Sequence, residues 1–265
     1  MVFLRDITLG QYVATDSSVH RLDPRTKFLS VFLLMLAVLV SHEFLFYFLL
    51  TGFLAVIIPL ARLPVRLVLR NFRPFSWLIL LTICLHIFFT RTGTVLFCLG
   101  PVQVTSEGVA RGAFFSYRLL ILIVTATLLT LTTSPMELVD GIEKLLKPFR
   151  RIRVPAHELA MMTSIALRFI PTLIDEADRL RKAQLARGAS FSGGALKRIR
   201  NLLPLVVPLF VSAFHRADQL AIAMESRCYR GGEGRTSFKE LKLHKSDFFS
   251  LGVVFLLLVI GVMWR

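Results

Sequence analysis

The stretch FLFYFLLTGFLAVIIPLA, Phe44 to Ala61, runs for eighteen residues without a charge. A hydrocarbon core about 30 Å thick takes roughly 20 residues of α-helix to cross, and a soluble domain has little use for such a run. Further apolar runs lie outward from it at Phe28 to Val40, Phe75 to Phe89, Gly108 to Thr133 and Phe248 to Trp264. The whole chain agrees: 55% of its 265 residues are hydrophobic, 23 are phenylalanine, and the mean hydropathy is +0.66. Ordinary globular domains hold about 45–50% apolar residues. The sequence therefore reads as an all-α integral membrane protein with about five transmembrane helices.

Lysine and arginine set the expected orientation, because they accumulate in cytoplasmic loops near span ends. Arg5, Arg21, Arg25 and Lys27 precede the first run, and Ser41 to Glu43 after it carry none. Arg62, Arg66, Arg70 and Arg73 separate the second run from the third, and Arg91 alone stands before the fourth. A long basic stretch, Ser134 to Ser246, then precedes the last. The alternation predicts a cytosolic N-terminus, an external C-terminus and three regions. Residues 1–133 carry helices one to four, residues 134–246 form a cytosolic region of long amphipathic helices, and residues 247–265 form the last transmembrane helix.

The net charge of +15 and pI near 10.7 follow from this bias and from contact with anionic lipid headgroups. No aromatic-interleaved basic groove points to nucleic acid. The opening MVFLRDITLGQYVATDSS is too polar for the apolar core of a cleavable signal. Cys84, Cys98 and Cys228 have no paired metal spacing. His42 in HEFLF and His157 in HELAM each lack the second histidine of a zinc pair, and both read as interfacial polar residues. No GxxxxGK[ST] loop is present, and GGEG at Gly231 lacks the lysine. No catalytic, metal or cofactor site is expected, so any ATP that drives this protein is hydrolysed on another chain.

Function is therefore sought in residues 134–246. SPMELVDGIEKLLKPFRR opens on Ser134 as N-cap, Pro135 at N1 and Glu137 at N3, a capping box. A second helix runs from about Ala156, interrupted by Pro171, to Arg187, where GASFSGG ends it. A third starts near Ala195 and reaches Arg227. Its apolar run Leu202 to Phe214 is short for a span, and Pro204 and Pro208 are expected to break it. A sixth span would also place Arg227 outside, against the charge rule. The reading is a long helix near the membrane with one apolar face.

These two helices end alike. ADRLRKAQLARG from Ala177 and ADQLAIAMESRC from Ala217 share A-D-x-L-x-x-A-x-x-[AS]-R-[GC], forty positions apart. Leu180, Ala183 and Arg187 fall on one side of a helix, as do Leu220, Ala223 and Arg227. Asp178 and Asp218 lie about 13 Å along the axis from their arginines and on the opposite face. Neither arginine has a carboxylate three or four residues before it: Gln184 and Ala183 precede one, Met224 and Ala223 the other. A C-terminal arginine also complements the helix dipole, and Gly188 is an ordinary helix stop. Two matched copies ask for more than that.

At these residues the chain resembles the transmembrane T-component of energy-coupling-factor transporters, bacterial vitamin and metal importers related to ABC transporters. The likeness covers nearly the whole chain: HRLDPRTKF from His20, TTSPMELVDGIEKLLKPFRR from Thr132, RFIPTLIDEAD from Arg168 and YRGGEGRT from Tyr229. The family's two X-R-G signatures are matched by Ala186-Arg187-Gly188 and, with cysteine for glycine, by Ser226-Arg227-Cys228. The resemblance implies a bacterial plasma membrane location and two cytosolic ABC-type ATPases that seat Arg187 and Arg227. It also implies a separate substrate-binding S-component packed on the helices' apolar surfaces. Cys228 takes φ > 0 less freely than glycine, so the second helix end is expected to turn differently, with Gly231 or Gly232 as its stop. Asp23 with Pro24 reads as a helix start, Arg25 and Lys27 as interfacial anchors. Arg118 lies inside a span, where a charge is costly without a partner. Two other readings are a stand-alone carrier with the cytosolic helices as a regulatory cap, and a membrane enzyme. The spans carry few ionisable groups and no inverted repeat, and no nucleophile or metal constellation appears.

Overall fold

A computed structural model describes residues 12–90, 92–99, 102–152, 155–189, 194–231 and 241–264. The protein is an all-α membrane protein, with a small hairpin among the described residues. Its helices are α1 (Pro24–Val40), α2 (Phe44–Leu60), α3 (Val65–Arg70), α4 (Ser76–Phe89), α5 (Ser106–Thr132), α6 (Pro135–Leu146), α7 (Ala156–Ala186), α8 (Ala195–Ser226) and α9 (Lys245–Met263). The segments Val65–Phe89, Ser106–Thr132, Asn201–Ser226 and Lys245–Met263 are long and apolar enough to cross a membrane, and Phe44–Leu60 is apolar but shorter. The hairpin, β1 (Val95–Leu99) with β2 (Val102–Thr105), joins α4 to α5 and was not expected from the sequence.

One compact unit holds Gly10–Gly141 with Leu241–Arg265. In it α1 packs on α5 and α9, and α4 on α5. Leu34, Ala37 and Val38 of α1, Phe46, Tyr47 and Leu50 of α2, Ile121 and Leu131 of α5 and Leu257 of α9 form its buried core. Gly261 lets α9 approach α2, since a Cβ there would stand 2.9 Å from the Phe46 ring.

Asp23 caps α1 as expected, its Oδ1 accepting from the Arg25 amide at 2.9 Å. Lys27 is not an interfacial anchor. It is 6% exposed, and its ammonium donates to the carbonyls of His20 (2.9 Å) and Thr132 (3.0 Å). A cation at the C-terminal carbonyls of α5 is favoured by the helix dipole, and burial is tolerated once the ammonium is hydrogen-bonded and near carboxylates. Beside it, buried Asp247 ties the first helix to the last. Its Oδ1 accepts from the Asp23 amide at 2.9 Å and its Oδ2 from the His244 amide at 2.7 Å. Arg118 finds its partner in the Leu39 carbonyl. Together with Tyr47, whose hydroxyl donates to the carbonyls of Val38 and Ser41, it satisfies the orphan acceptors at the C-terminal end of α1.

His20, ahead of α1, accepts from Ser17 Oγ at 2.7 Å through Nδ1 and donates to the Val13 carbonyl at 3.0 Å through Nε2. Burial and then the nearby Lys27 ammonium lower its pKa from the ordinary histidine value. The unfolded chain therefore takes up this proton first, and stability falls as pH drops below about 6.5. Melting of the detergent-solubilised protein from pH 7.5 to 5 should show that loss, and His20→Gln should flatten it. An unchanged slope in the variant would assign it to other groups.

The second unit takes in Ile142–Glu240. Proline does not interrupt its helices: α7 runs through Pro171, and α8 through Pro204 and Pro208. Each proline costs one backbone donor and local strain of about 3 kcal/mol. Helices of 31 and 32 residues keep enough other bonds to stay continuous. In α8 the four-residue spacing puts both defects on one face, with Pro208 opposite the Pro204 carbonyl.

Candidate functional site

The site consists of α7 and α8. Glu143 of α6 meets the imidazole of His157 in the first turn of α7 at 2.8 Å, so the histidine of HELAM serves a helix junction. Further along α7, Asp178 pairs with Lys182 at 2.9 Å. Among the described residues no three His, Cys, Asp or Glu side chains gather to hold a metal ion.

Where the helices meet, Arg216 of α8 donates to Glu176 of α7 at 3.1 Å. A cavity of about 270 Å³ lies beside this pair. Ile165, Phe169 and Leu173, which precede Glu176, line it together with Ala217, Leu220 and Met224, which follow Arg216. The residues leading to one tip thus lie against the root of the other helix, and the tips leave the crossing in opposite directions. Each tip arginine stands eleven residues beyond the pair, or about 17 Å.

The two tips are built alike. In the first, the Gly188 amide donates to the Leu185 carbonyl at 3.0 Å and the Ala189 amide to Gln184 at 3.0 Å. In the second, the Cys228 amide donates to Glu225 at 2.9 Å and the Tyr229 amide to Met224 at 3.1 Å. Both are Schellman endings, with Arg187 and Arg227 at the C-cap. The left-handed residue after the cap is Gly188 at φ 84° and Cys228 at φ 56°. The expected difference between the helix ends is therefore absent. Cys228 takes the glycine conformation, because two backbone bonds hold it there against its Cβ. Gly231 lies beyond the stop, and Gly232 lies outside the described residues.

The side chains from Ala186 to Gly188 and from Ser226 to Cys228 are all exposed. Ser226 Oγ turns back to the Ala223 carbonyl at 3.0 Å. Among the described residues neither Arg187 nor Arg227 has a carboxylate partner, so two planar forks are presented for bidentate contact with carboxylates. A non-glycine residue at left-handed φ costs about 1 kcal/mol. Cys228→Gly should therefore slow amide exchange at the end of α8, whereas Gly188→Val should speed it at the end of α7. Equal exchange in parent and variants would contradict the strain.

Sequence reasoning missed the ion pair at the crossing. Its signal was legible, since Glu176 and Arg216 are themselves forty residues apart and each stands directly before the matched alanine. An apolar face of α8 is also left open: Leu203, Val207, Phe210 and Phe214 are 56 to 68% exposed.

Residues 15–238 match a protein family described as cobalt transport protein, CbiQ. The chain is 52% identical over 258 residues to the energy-coupling factor transporter transmembrane protein EcfT of Acidaminococcus fermentans, covering 97% of this chain and 96% of that one. It is 50% identical to the protein of the same name from Thermosediminibacter oceani, with 99% of both chains covered. With that of Bacillus subtilis it shares 47% identity over 88% of each chain.

Proposed function

Because the chain belongs to the CbiQ cobalt transport protein family, among the energy-coupling factor transporter transmembrane proteins, we propose that it couples ATP-driven motion of two cytosolic ATPases to a membrane-embedded S-component. The observation that carries this reading is the pair of matched tips: two exposed arginines without carboxylate partners among the described residues, each at the C-cap of a Schellman-ended helix, on arms that diverge from one crossing. Each tip suits the groove of one ATPase of a pair. Ala186, Arg187 and Gly188 form one contact, and Ser226, Arg227 and Cys228 form the other. Nucleotide-driven motion of the ATPases displaces the tips relative to each other, and the rigid helices carry the displacement to the S-component.

The open face of α8 at Leu203, Val207, Phe210 and Phe214 supports S-component packing there. The ion pair that α8 makes with α7, a helix rich in charged residues, supports α8 as a surface helix rather than a sixth span. With α1 counted beside α2, the Val65–Phe89 segment, α5 and α9, five spans give the proposed orientation: N-terminus and residues 134–246 in the cytosol, C-terminus outside. The cargo is a micronutrient, a vitamin or a metal ion, and its selection lies on the S-component. Reconstitution in vesicles tests this. Uptake should require the ATPases, the S-component and ATP together, whereas uptake by this chain alone would establish the stand-alone carrier instead.

A further inference from the structure

Glu176 and Arg216 occupy equivalent positions of the internal repeat yet carry opposite charges, and they meet at 3.1 Å where the two helices cross. We propose that this pair is a positioning contact that fixes the crossing angle of α7 and α8 and, through it, the separation of the two arginine tips. The inference rests on the reading of these helices as coupling arms.

Along the rows that run through the crossing, the register of the two helices admits one charge pairing. The rows flanking Glu176 on α7 hold Thr172, Leu173, Arg179 and Leu180, and those flanking Arg216 on α8 hold Ser212, Ala213, Gln219 and Leu220. No second carboxylate is within a turn on either row. A slip of one turn strands Arg216 against Thr172 or Leu180, and a slip of three residues sets it against Leu173 or Arg179. Along these rows only the observed register pairs the charge; Asp175 and Asp178 flank Glu176 on other faces of α7.

Packing leaves the angle to this pair. Ala213, Ala217 and Ala221 repeat every four residues along the face of α8 that lines the 270 Å³ cavity. Small side chains let two helices come close, but an open cleft beside them lacks the dispersion contacts that interlocked side chains would supply. The apolar surface therefore determines the angle only loosely, and the directional hydrogen-bonded pair decides it.

Arm length magnifies any change at the crossing. With arms of about 17 Å, a turn of about 10° there moves each tip by about 3 Å. The pair is partly solvated, Arg216 being 34% and Glu176 25% exposed, and such pairs add little to stability. Its variants should fold.

The test uses the full chain in lipid nanodiscs. Spin labels go at Ala183→Cys and Ala223→Cys, matched positions seven residues beyond the pair, in a background without other cysteines. Each variant is first shown to insert and to melt with the parent. Glu176→Arg and Arg216→Glu should each shift and broaden the label-to-label distance distribution, and the two together should restore it. In the assembled transporter the single reversals should lower uptake about fivefold or more while ATPases stay bound, and the double swap should recover it. Unchanged distances in the single reversals, or no recovery in the swap, would overturn the proposal. Absence of bound ATPases from the parent itself would instead count against the coupling role, and the distances would still be read on their own.

Discussion

Asp247→Ala should lower the stability of the spanning unit by about 3 kcal/mol, a large fraction of what a folded domain holds in reserve. Asp247 is 1% exposed, and both its oxygens are used, one by the Asp23 amide and one by the His244 amide. Alanine leaves the buried Asp23 amide without its acceptor, at about 1–3 kcal/mol, and takes a second, half-buried bond from the His244 amide. It also removes one of the three carboxylates, after Glu137 and Asp23, that favour the charge of buried Lys27. Asp247→Asn keeps one acceptor and most of the shape, so its loss should be smaller. Thermal melting in detergent decides the matter: if the alanine variant melts with the parent, the contact joining α1 to α9 does not hold the unit together.

Reversing both tips, Arg187→Glu with Arg227→Glu, should reduce ATP-driven uptake to background. Breaking a charge pair at an interface costs about 2–5 kcal/mol, so each reversal alone should weaken its contact by roughly 30-fold or more. Arg→Lys at both tips keeps the charge but loses the planar fork, and should give an intermediate loss. Uptake by normally inserted variants in vesicles is the measurement. Full uptake by the double reversal would remove these arginines from the mechanism.

The sequence made some of this legible for physical reasons. Helical capping and periodicity are local, so the Ser134 box is found with reciprocal bonds of 3.3 and 3.4 Å to Glu137, and α2 begins at the predicted Phe44. The matched arginine tips could be read because they rest on a short internal repeat. What escaped depends on distance along the chain. Asp247 reaches Asp23 from 224 residues away, and Arg118 finds Leu39 from 79. A cation assigned to the interface by its place before an apolar run, Lys27, is instead drawn inward by carbonyls of residues 20 and 132. Propensity misled at Pro171, Pro204, Pro208 and Cys228, where the bonds of a long helix or a Schellman ending outweigh one unfavourable residue.

The most direct measurement is the ATPase content of the complex purified from membranes through this chain, for the parent and for the Arg187→Glu, Arg227→Glu double variant. Two ABC-type ATPase chains should accompany the parent, and none the inserted, folded double variant. The same two ATPases retained after both reversals would contradict a coupling role for the arginine tips.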